Sequence, residues 1–243
     1  MRNLTRETLK TLKNRLARAS ITLIVLISSF ALAQDSTLQK WQVYGGYSLL
    51  HQDTAKQRDL AVDLSLHDPN NAFTIKSYFN GWNAEVQYNA SRWVGAVADF
   101  SGFSAVPFSP TNPNAATGLP TQSRYSFLVG PVISFRNKTH FTPYAHVLFG
   151  LERAHLTGTS ISGSAPPFTS IATTYTDFTA AAGAGVDYKV IRHFGLRLAQ
   201  FEWYHTTLNA NKFYGNAFNS VQFEGLPTHQ RNYRISAGIV VTF

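Results

Sequence analysis

Histidine and carboxylate side chains are the residues of this sequence best suited to acid–base chemistry, since they can gain or lose a proton near neutral pH. None of the eight histidines begins a His-x-Ser pair or an H-E-x-x-H motif. His205 with Glu202 is the best candidate for a general base and its partner. The competing interpretation is a histidine that lies at a water boundary and has no chemical role. The histidines are His51, His67, His140, His146, His155, His193, His205 and His229.

Other motifs that carry chemistry are missing from the sequence or wrongly spaced. The stretch Gly158–Gly163 misses the G-x-S-x-G spacing of a nucleophile elbow by one residue. Gly183-x-Gly185 is better explained by close approach between strands, or by space in the lumen, than by phosphate binding. The absence of cysteine excludes disulfides and thiolate zinc sites. The sequence therefore predicts no catalytic residue, no metal site and no cofactor.

A second set of charged residues lies within segments that alternate apolar and polar side chains. Their polar phase predicts that they point into a narrow interior, where an unpaired charge is costly. We therefore expect a network of ion pairs, with Glu202 and Arg234 paired on neighbouring strands. The network could be a rigid plug, or a gate that opens when ion pairs exchange. Its members are Glu85, Asp99, Arg124, Asp187, Arg197, Glu202 and Arg234.

The elements that must position these charges are β-strands, because the hydrophobic period is two. The seventh segment changes phase between Leu198 and Phe201, and a bulge near Ala199 would restore the alternation. Eight segments show the period: 40–50, 78–88, 93–103, 123–135, 141–154, 175–188, 194–205 and 231–243.

The connections between these segments alternate in length, as they must when strands run up and down. The segment 59–66 also alternates, and we interpret it as a strand extension or a hairpin outside the membrane. The long connections, rich in Pro, Asn, Ser, Thr and Gly, are 51–77, 104–122, 155–174 and 206–230. The short ones are 89–92, 136–140 and 189–193.

Two features indicate that the apolar face of the strands contacts lipid. The polar face carries Gly, Ser, Thr and charges, which suit a hydrated lumen better than the apolar core of a soluble barrel. The apolar face carries aromatic residues in two tiers, near each end of the strands, as at membrane interfaces. A charged content of only 14% agrees, because soluble domains usually carry about 25%.

The first 33 residues have the pattern of an export signal. Residues 1–20 are basic, residues 21–33 are uncharged and mostly apolar, and Ala31-Leu32-Ala33 precedes Gln34 as a cleavage site would. Thirteen helical residues rise only about 20 Å, too little to cross a bilayer. A mitochondrial transit peptide is the alternative. We expect a helical signal peptide over 1–33 that is cleaved, and one domain over 34–243.

The basic character of the chain lies mostly in that segment. The net charge is +8, but residues 1–33 hold six of the 21 basic residues and only Glu7 among the acidic ones, which leaves +3 for the remainder. The sequence therefore predicts no nucleic-acid partner.

The last segment, Tyr233–Phe243, resembles the terminal signal of bacterial outer-membrane barrels, in which a final Phe follows apolar residues at every second position. The matching residues are Tyr233, Ile235, Ala237, Ile239, Val241 and Phe243. The inner strands resemble those of small porin-like barrels related to the membrane domain of outer-membrane protein A. The motifs that carry this resemblance are Tyr44-Gly45-Gly46-Tyr47-Ser48, Gly81-Trp82-Asn83-Ala84, Val97-Ala98-Asp99-Phe100-Ser101-Gly102, Pro143-Tyr144-Ala145-His146 and Gly183-Ala184-Gly185-Val186-Asp187-Tyr188.

The resemblance implies a protein of the Gram-negative envelope that is exported through the periplasm to the bacterial outer membrane. Its partners would be outer-membrane lipid, lipopolysaccharide and the barrel-assembly machinery. The chain stops at Phe243, so we do not expect the periplasmic peptidoglycan-binding domain of outer-membrane protein A.

The sequence as a whole predicts an all-β fold: an eight-stranded antiparallel up-and-down transmembrane β-barrel, monomeric and not an enzyme. Its expected role is envelope integrity, adhesion or partner binding through four long surface loops, above a lumen filled by side chains. The alternatives are a narrow channel gated by luminal ion pairs, or a lipid A-modifying enzyme of the kind that some eight-stranded barrels form.

Overall fold

The computed structural model describes residues 39–53, 73–75, 77–106, 108–110, 121–137, 139–160, 169–207 and 229–243. These residues form strands joined by turns, and among them no helix is long and apolar enough to cross a membrane. The strands are β1 (Trp41–His51), β2 (Phe73–Ile75), β3 (Tyr78–Asn89), β4 (Val94–Ala105), β5 (Phe108–Pro110), β6 (Thr121–Ser134), β7 (Phe141–Ser160), β8 (Thr169–Lys189), β9 (Phe194–Thr206) and β10 (Gln230–Thr242).

Eight of these strands close into one barrel in the order β1-β10-β9-β8-β7-β6-β4-β3, with every neighbouring pair antiparallel. Closure leaves no unpaired edge, which is required where no water can bond exposed peptide groups. The all-β, eight-stranded, up-and-down fold predicted from the hydrophobic period is confirmed. We call the end with the connections β3–β4, β6–β7 and β8–β9 the short-turn end, and the opposite end the long-loop end.

The predicted irregularity in the seventh barrel strand is present. In the register of β8 with β9, Val186 pairs with Ala199 while the next residue, Asp187, pairs with Arg197. The register of β9 with β10 also shifts, between Ser236 and Gly238. Leu198 and Ala199 consequently both point outward. The bulge thus reverses the phase of the strand and keeps apolar side chains on one face.

The prediction of a long loop over 155–174 is wrong in extent. Strands β7 and β8 pair from Phe141↔Tyr188 as far as Ser160↔Thr169, so most of that segment is a β-ribbon. The segment 155–160 and its partner 169–174 are rich in threonine, a β-branched residue that favours strands. At the same end, β2 and β5 form a separate two-stranded sheet. The segments 1–33 and 59–66 lie outside the described residues.

The outward face of the barrel carries a broad apolar band, and polar outward residues such as Arg153 and Arg231 lie toward the long-loop end. Large aromatic side chains on this face are about half exposed, among them Trp41 and Phe141 near the short turns and Tyr47 and Phe178 further up. Some stack across strands, for example Trp41 on Tyr88 with ring centroids 5.0 Å apart. A band of this kind needs lipid around it, because a soluble protein does not expose so large an apolar surface.

The interior is less uniformly polar than the sequence suggested. Two apolar clusters lie inside the barrel beside the charged groups. They fill space that the sequence analysis assigned to Gly, Ser and Thr, because a lumen formed by eight strands is narrow enough to be packed by side chains. One contains Val97, Leu128, Val132, Tyr144, Leu148, Ala181 and Tyr204, and the other Leu50, Phe79 and Phe103.

We expect the folded protein to migrate faster on a detergent gel when the sample is not heated than after boiling. A barrel closed by eight antiparallel ladders resists detergent until heat separates the strands, so the unheated form stays compact. Identical migration in both lanes would contradict a closed barrel.

Candidate functional site: the luminal charge network

The buried charged side chains of the described residues are three arginines and five carboxylates, all inside the barrel. They lie in three layers, each with one arginine. The arginines are Arg124, Arg197 and Arg234, and the carboxylates are Glu85, Asp99, Glu152, Asp187 and Glu202.

The central layer is organised by Arg234 of β10. Its Nε donates to Glu202 of β9, and its Nη1 and Nη2 donate to the two oxygens of Asp99 at 3.1 and 2.5 Å. Glu202 lies directly opposite Arg234 in the register of β9 and β10. Asp99 lies on β4, which is separated from β10 by β1 and β3. The guanidinium therefore links two walls of the barrel across the lumen.

Two further side chains complete this layer. His146 of β7 contacts the other oxygen of Glu202 at 2.9 Å, and Asn83 of β3 donates to Asp99 at 2.6 Å. The Arg234 guanidinium also lies 4.9 Å from the ring centroid of Tyr204, in cation–π geometry. Hydrogen bonds between charged groups are stronger than neutral ones where water is excluded, so the four carboxylate oxygens of Asp99 and Glu202 are held firmly by Arg234, Asn83 and His146.

The layer nearest the short-turn end is organised by Arg197 of β9. Its Nη1 donates to Glu85 of β3 at 2.6 Å, and its Nε donates to Asp187 of β8 at 2.8 Å. The guanidinium lies between the rings of Tyr44 and Tyr144, at 4.1 and 4.4 Å from their centroids. Two aromatic faces and two carboxylates thus surround this cation.

Glutamines extend the same layer across the barrel. Gln200 donates to Glu85 at 2.7 Å and accepts from the Tyr144 hydroxyl at 2.9 Å. Gln42 of β1 donates to Asp187 at 2.9 Å. Side chains from β1, β3, β7, β8 and β9 therefore form one connected group.

The third layer lies toward the long-loop end. Arg124 of β6 donates to Glu152 of the neighbouring strand β7. Its Nη1 and Nη2 also contact the side-chain oxygen of Gln230, on the opposite wall, at 3.4 Å. This layer is looser than the others, because its cross-lumen contacts are long.

All seven charged residues predicted to face the lumen do so in the structure, and each forms at least one ion pair. Sequence reasoning left His146 and Glu152 out of the network, although both lie on the polar phase of their strand. It also missed the tyrosines, which face inward where the pattern alone assigned aromatics to lipid. Strand phase could have indicated His146 and Glu152, whereas the choice of partners across the lumen depends on how the barrel closes.

The candidate pair of His205 and Glu202 is not formed. The two residues are three positions apart in a regular stretch of β9, so their side chains point to opposite faces. Glu202 is buried in the lumen, while the His205 ring faces outward beside Trp203 and His229, at 5.8 and 5.5 Å between centroids.

Glycines make room for the network on β8. A Cβ at Gly183 would lie 2.4 Å from Cγ of Glu202 and 3.1 Å from Nε2 of His146. A Cβ at Gly185 would lie 2.5 Å from the hydroxyl of Tyr144. These two glycines, which resembled a weak phosphate-binding motif in the sequence, are places where luminal side chains approach the wall.

Comparison with known families agrees with this architecture. Residues 20–222 match the family described as outer membrane protein beta-barrel domain, which is most of the chain. The chain belongs to this family. It is therefore an integral barrel protein of the bacterial outer membrane, and its short-turn end faces the periplasm as in such barrels. No curated protein matches the sequence.

Several solved structures of outer-membrane proteins are similar to this barrel. Ail of Yersinia pestis, solved in complex with the heparin analogue sucrose octasulfate, is 14% identical with a TM-score of 0.46, and the match covers 84% of this chain and 99% of Ail. Neisserial surface protein A is 14% identical with a TM-score of 0.44, covering 84% and 97%. OprG of Pseudomonas aeruginosa is 11% identical with a TM-score of 0.47, covering 86% and 99%.

Replacing Arg234 with Met should cost about 3–5 kcal/mol of unfolding free energy, because two carboxylates stay buried without their cation. Adding Glu202→Gln and Asp99→Asn should recover part of that loss, since the remaining groups are neutral. Urea unfolding of the barrel in lipid vesicles measures both values, with Arg231→Met, an exposed outward position, as the control. Equal stability of R234M and the triple variant would contradict an energetic coupling between Arg234 and its two carboxylates.

Gly183→Ala should destabilise the barrel by about 1–3 kcal/mol, because the added methyl group displaces the Glu202 side chain from its partners and lies 2.7 Å from the backbone oxygen of Phe201. Gly45→Ala is the matched control, since a Cβ there meets no atom within 4 Å. The same unfolding assay compares the two variants. Equal effects of G183A and G45A would show that Glu202 tolerates displacement.

Proposed function

We propose that the protein is a non-enzymatic, closed-lumen barrel that acts as a membrane anchor for its long surface segments. Those segments would serve envelope integrity, adhesion or the binding of a partner. The observation that carries the proposal is the pair of guanidinium groups, Arg197 and Arg234, that bridge opposite walls of the lumen. A barrel held shut in this way is built for rigidity.

The packing of the lumen supports closure. Arg197 and Arg234 are 2% and 0% exposed, so both side chains are enclosed by other groups of the lumen. Tyr44, Tyr144 and Tyr204 fill the space around the two guanidinium groups. Eight strands leave room for side chains and little else, so these layers obstruct a continuous water path.

The environment of the histidines supports the absence of catalysis. The His146–Glu202 pair resembles a base with its orienting carboxylate, but both side chains are buried and Arg234 occupies the second oxygen of Glu202. A catalytic base needs to reach the proton of a bound substrate. His205 faces the lipid side, away from Glu202, so the one dyad that the sequence offered is not assembled.

The expected partners follow from the outer surface. The half-exposed aromatic rings suit contacts with outer-membrane lipid and lipopolysaccharide around a monomer. On β10, Tyr233, Ile235, Ala237 and Ile239 point outward in one row, which ends at the exposed Phe243. That row is accessible to the barrel-assembly machinery before the last strand closes onto β1. Removal of residues 1–33 after export belongs to the same proposal.

A narrow channel gated by ion pairs is the second candidate. Glu202 contacts both Arg234 and His146, so it could change partners without losing all of its hydrogen bonds. The excess of buried carboxylates over arginines would make such a path favour cations.

Single-channel recording in planar bilayers tests closure. The wild type should show no steady conductance, whereas Arg197→Ala with Arg234→Ala should conduct, with a preference for cations, because both bridging groups are gone. The unheated migration of the variant on a detergent gel checks that it is folded.

Steady conductance of the wild type would contradict the closed-lumen proposal and favour the gated channel. For the absence of catalysis, lipid A from cells with and without the protein should have the same mass spectrum. A mass shift that disappears in His146→Gln would establish an enzyme.

A further inference from the structure

Two periplasmic turns are joined by a reciprocal pair of arginines. Arg92, in the β3–β4 turn, donates its Nε to the backbone oxygen of Arg136 at 3.1 Å. Arg136, in the β6–β7 turn, donates its Nη1 to the backbone oxygen of Arg92 at 3.2 Å, and its Nη2 to Asn89 at 2.7 Å. The two guanidinium groups are thus held side by side at the rim of the barrel.

This arrangement places two like charges together with no carboxylate of the described residues in ion-pair contact. Among the described residues, neither Arg92 nor Arg136 forms an ion pair with a carboxylate. Burial lowers the pKa of Arg136 from its ordinary value, which reflects the cost of a cation with few partners, and the carboxylate of Asp187 acts in the opposite direction. Among the described residues, the two Nη nitrogens of Arg92 and the Nε of Arg136 donate no hydrogen bond, so these donors are available to an anion.

An apolar surface lies directly beside the paired cations. Trp93 and Phe135, the neighbours of the two arginines in sequence, form an edge-to-face pair with centroids 6.0 Å apart. They are 44% and 50% exposed on the outward face of the barrel. The Arg92 guanidinium lies 5.8 Å from the Trp93 ring. A ligand that fits this surface has an anionic group next to a hydrocarbon part.

We propose that Arg92 and Arg136, with Trp93 and Phe135, form a binding site for one anionic phospholipid of the inner leaflet. The phosphate bridges the two guanidinium groups, and the acyl region lies on the two rings. The site favours phosphatidylglycerol over phosphatidylethanolamine, because the ammonium group of the latter would face two cations, and the described residues place no carboxylate in ion-pair contact with either of them.

The rest of the periplasmic rim has the same sign of charge. Lys40, Lys189 and Arg192 are exposed at this end, around the same mouth. The Asp187 carboxylate near them is already bonded to Arg197 and Gln42. Basic residues close to a membrane surface attract anionic headgroups, so the rim would concentrate the lipid near the paired arginines.

Native mass spectrometry of the detergent-solubilised, folded barrel tests the site by titration with phosphatidylglycerol and, separately, phosphatidylethanolamine. The wild type should retain one phosphatidylglycerol, and Arg92→Gln with Arg136→Gln should weaken its binding about 30-fold, as expected for two arginines at a phosphate surface. The matched control is Arg153→Gln with Arg231→Gln, two exposed outward arginines near the long-loop end, which should bind as the wild type does. If the double variant fails to fold on the gel assay, R92Q alone, whose side chain is exposed, should still weaken binding.

Other ligands give distinguishable results. Equal retention of phosphatidylglycerol by the wild type and the arginine variants, or equal binding of both lipids by the wild type, would overturn the proposal. Complete displacement of phosphatidylglycerol by millimolar inorganic phosphate would show that the site takes free phosphate. Arginine-dependent binding to isolated peptidoglycan sacculi, without binding of phosphatidylglycerol, would also overturn it and assign a cell-wall partner.

Discussion

A buried guanidinium that must be neutralised from two walls is the constraint on which this structure depends. Arg234 cannot remain charged in the lumen without Glu202 and Asp99, and these carboxylates lie on strands at either side of it. Satisfying all three groups fixes the distance between the β9–β10 wall and β4. The close approach at Gly183 follows from the same demand, because Glu202 lies against the wall there.

The bulge in β9 connects this interior chemistry with the lipid-facing surface. Arg197 and Glu202 are five positions apart, so in a regular strand they would point to opposite faces. Because Leu198 and Ala199 both turn outward, each charged residue reaches the lumen and Leu198 stays in the lipid-facing band. One inserted residue therefore lets a single strand contribute Arg197 to one layer and Glu202 to the next, and Arg197 also donates to Gln200.

The sequence predicted those features that depend on local phase. Strand number, the bulge and the inward direction of the charged residues all follow from a period of two, and the terminal row ending at Phe243 identified the kind of barrel. The pair of Glu202 and Arg234 on neighbouring strands was predicted and is present, but partners across the lumen were not predicted. Arg234 meets Asp99 across 135 positions of sequence, through a closure geometry that no local pattern encodes. His205 and Glu202 are close in sequence, but they lie on opposite faces of β9, so the candidate pair is not formed. The tyrosines around Arg197 were missed because aromatic residues are usually assigned to the lipid side.

Thiol accessibility tests most directly whether these layers close the lumen, and the chain has no native cysteine to interfere. Ser101, which is 1% exposed and hydrogen-bonded to Ser126 at 2.6 Å, is replaced by Cys, and exposed Thr139 in the β6–β7 turn provides the control. A small cationic thiol reagent should modify T139C rapidly and leave S101C unmodified from either side of the membrane. Modification of S101C at a rate close to that of T139C would contradict the closed lumen.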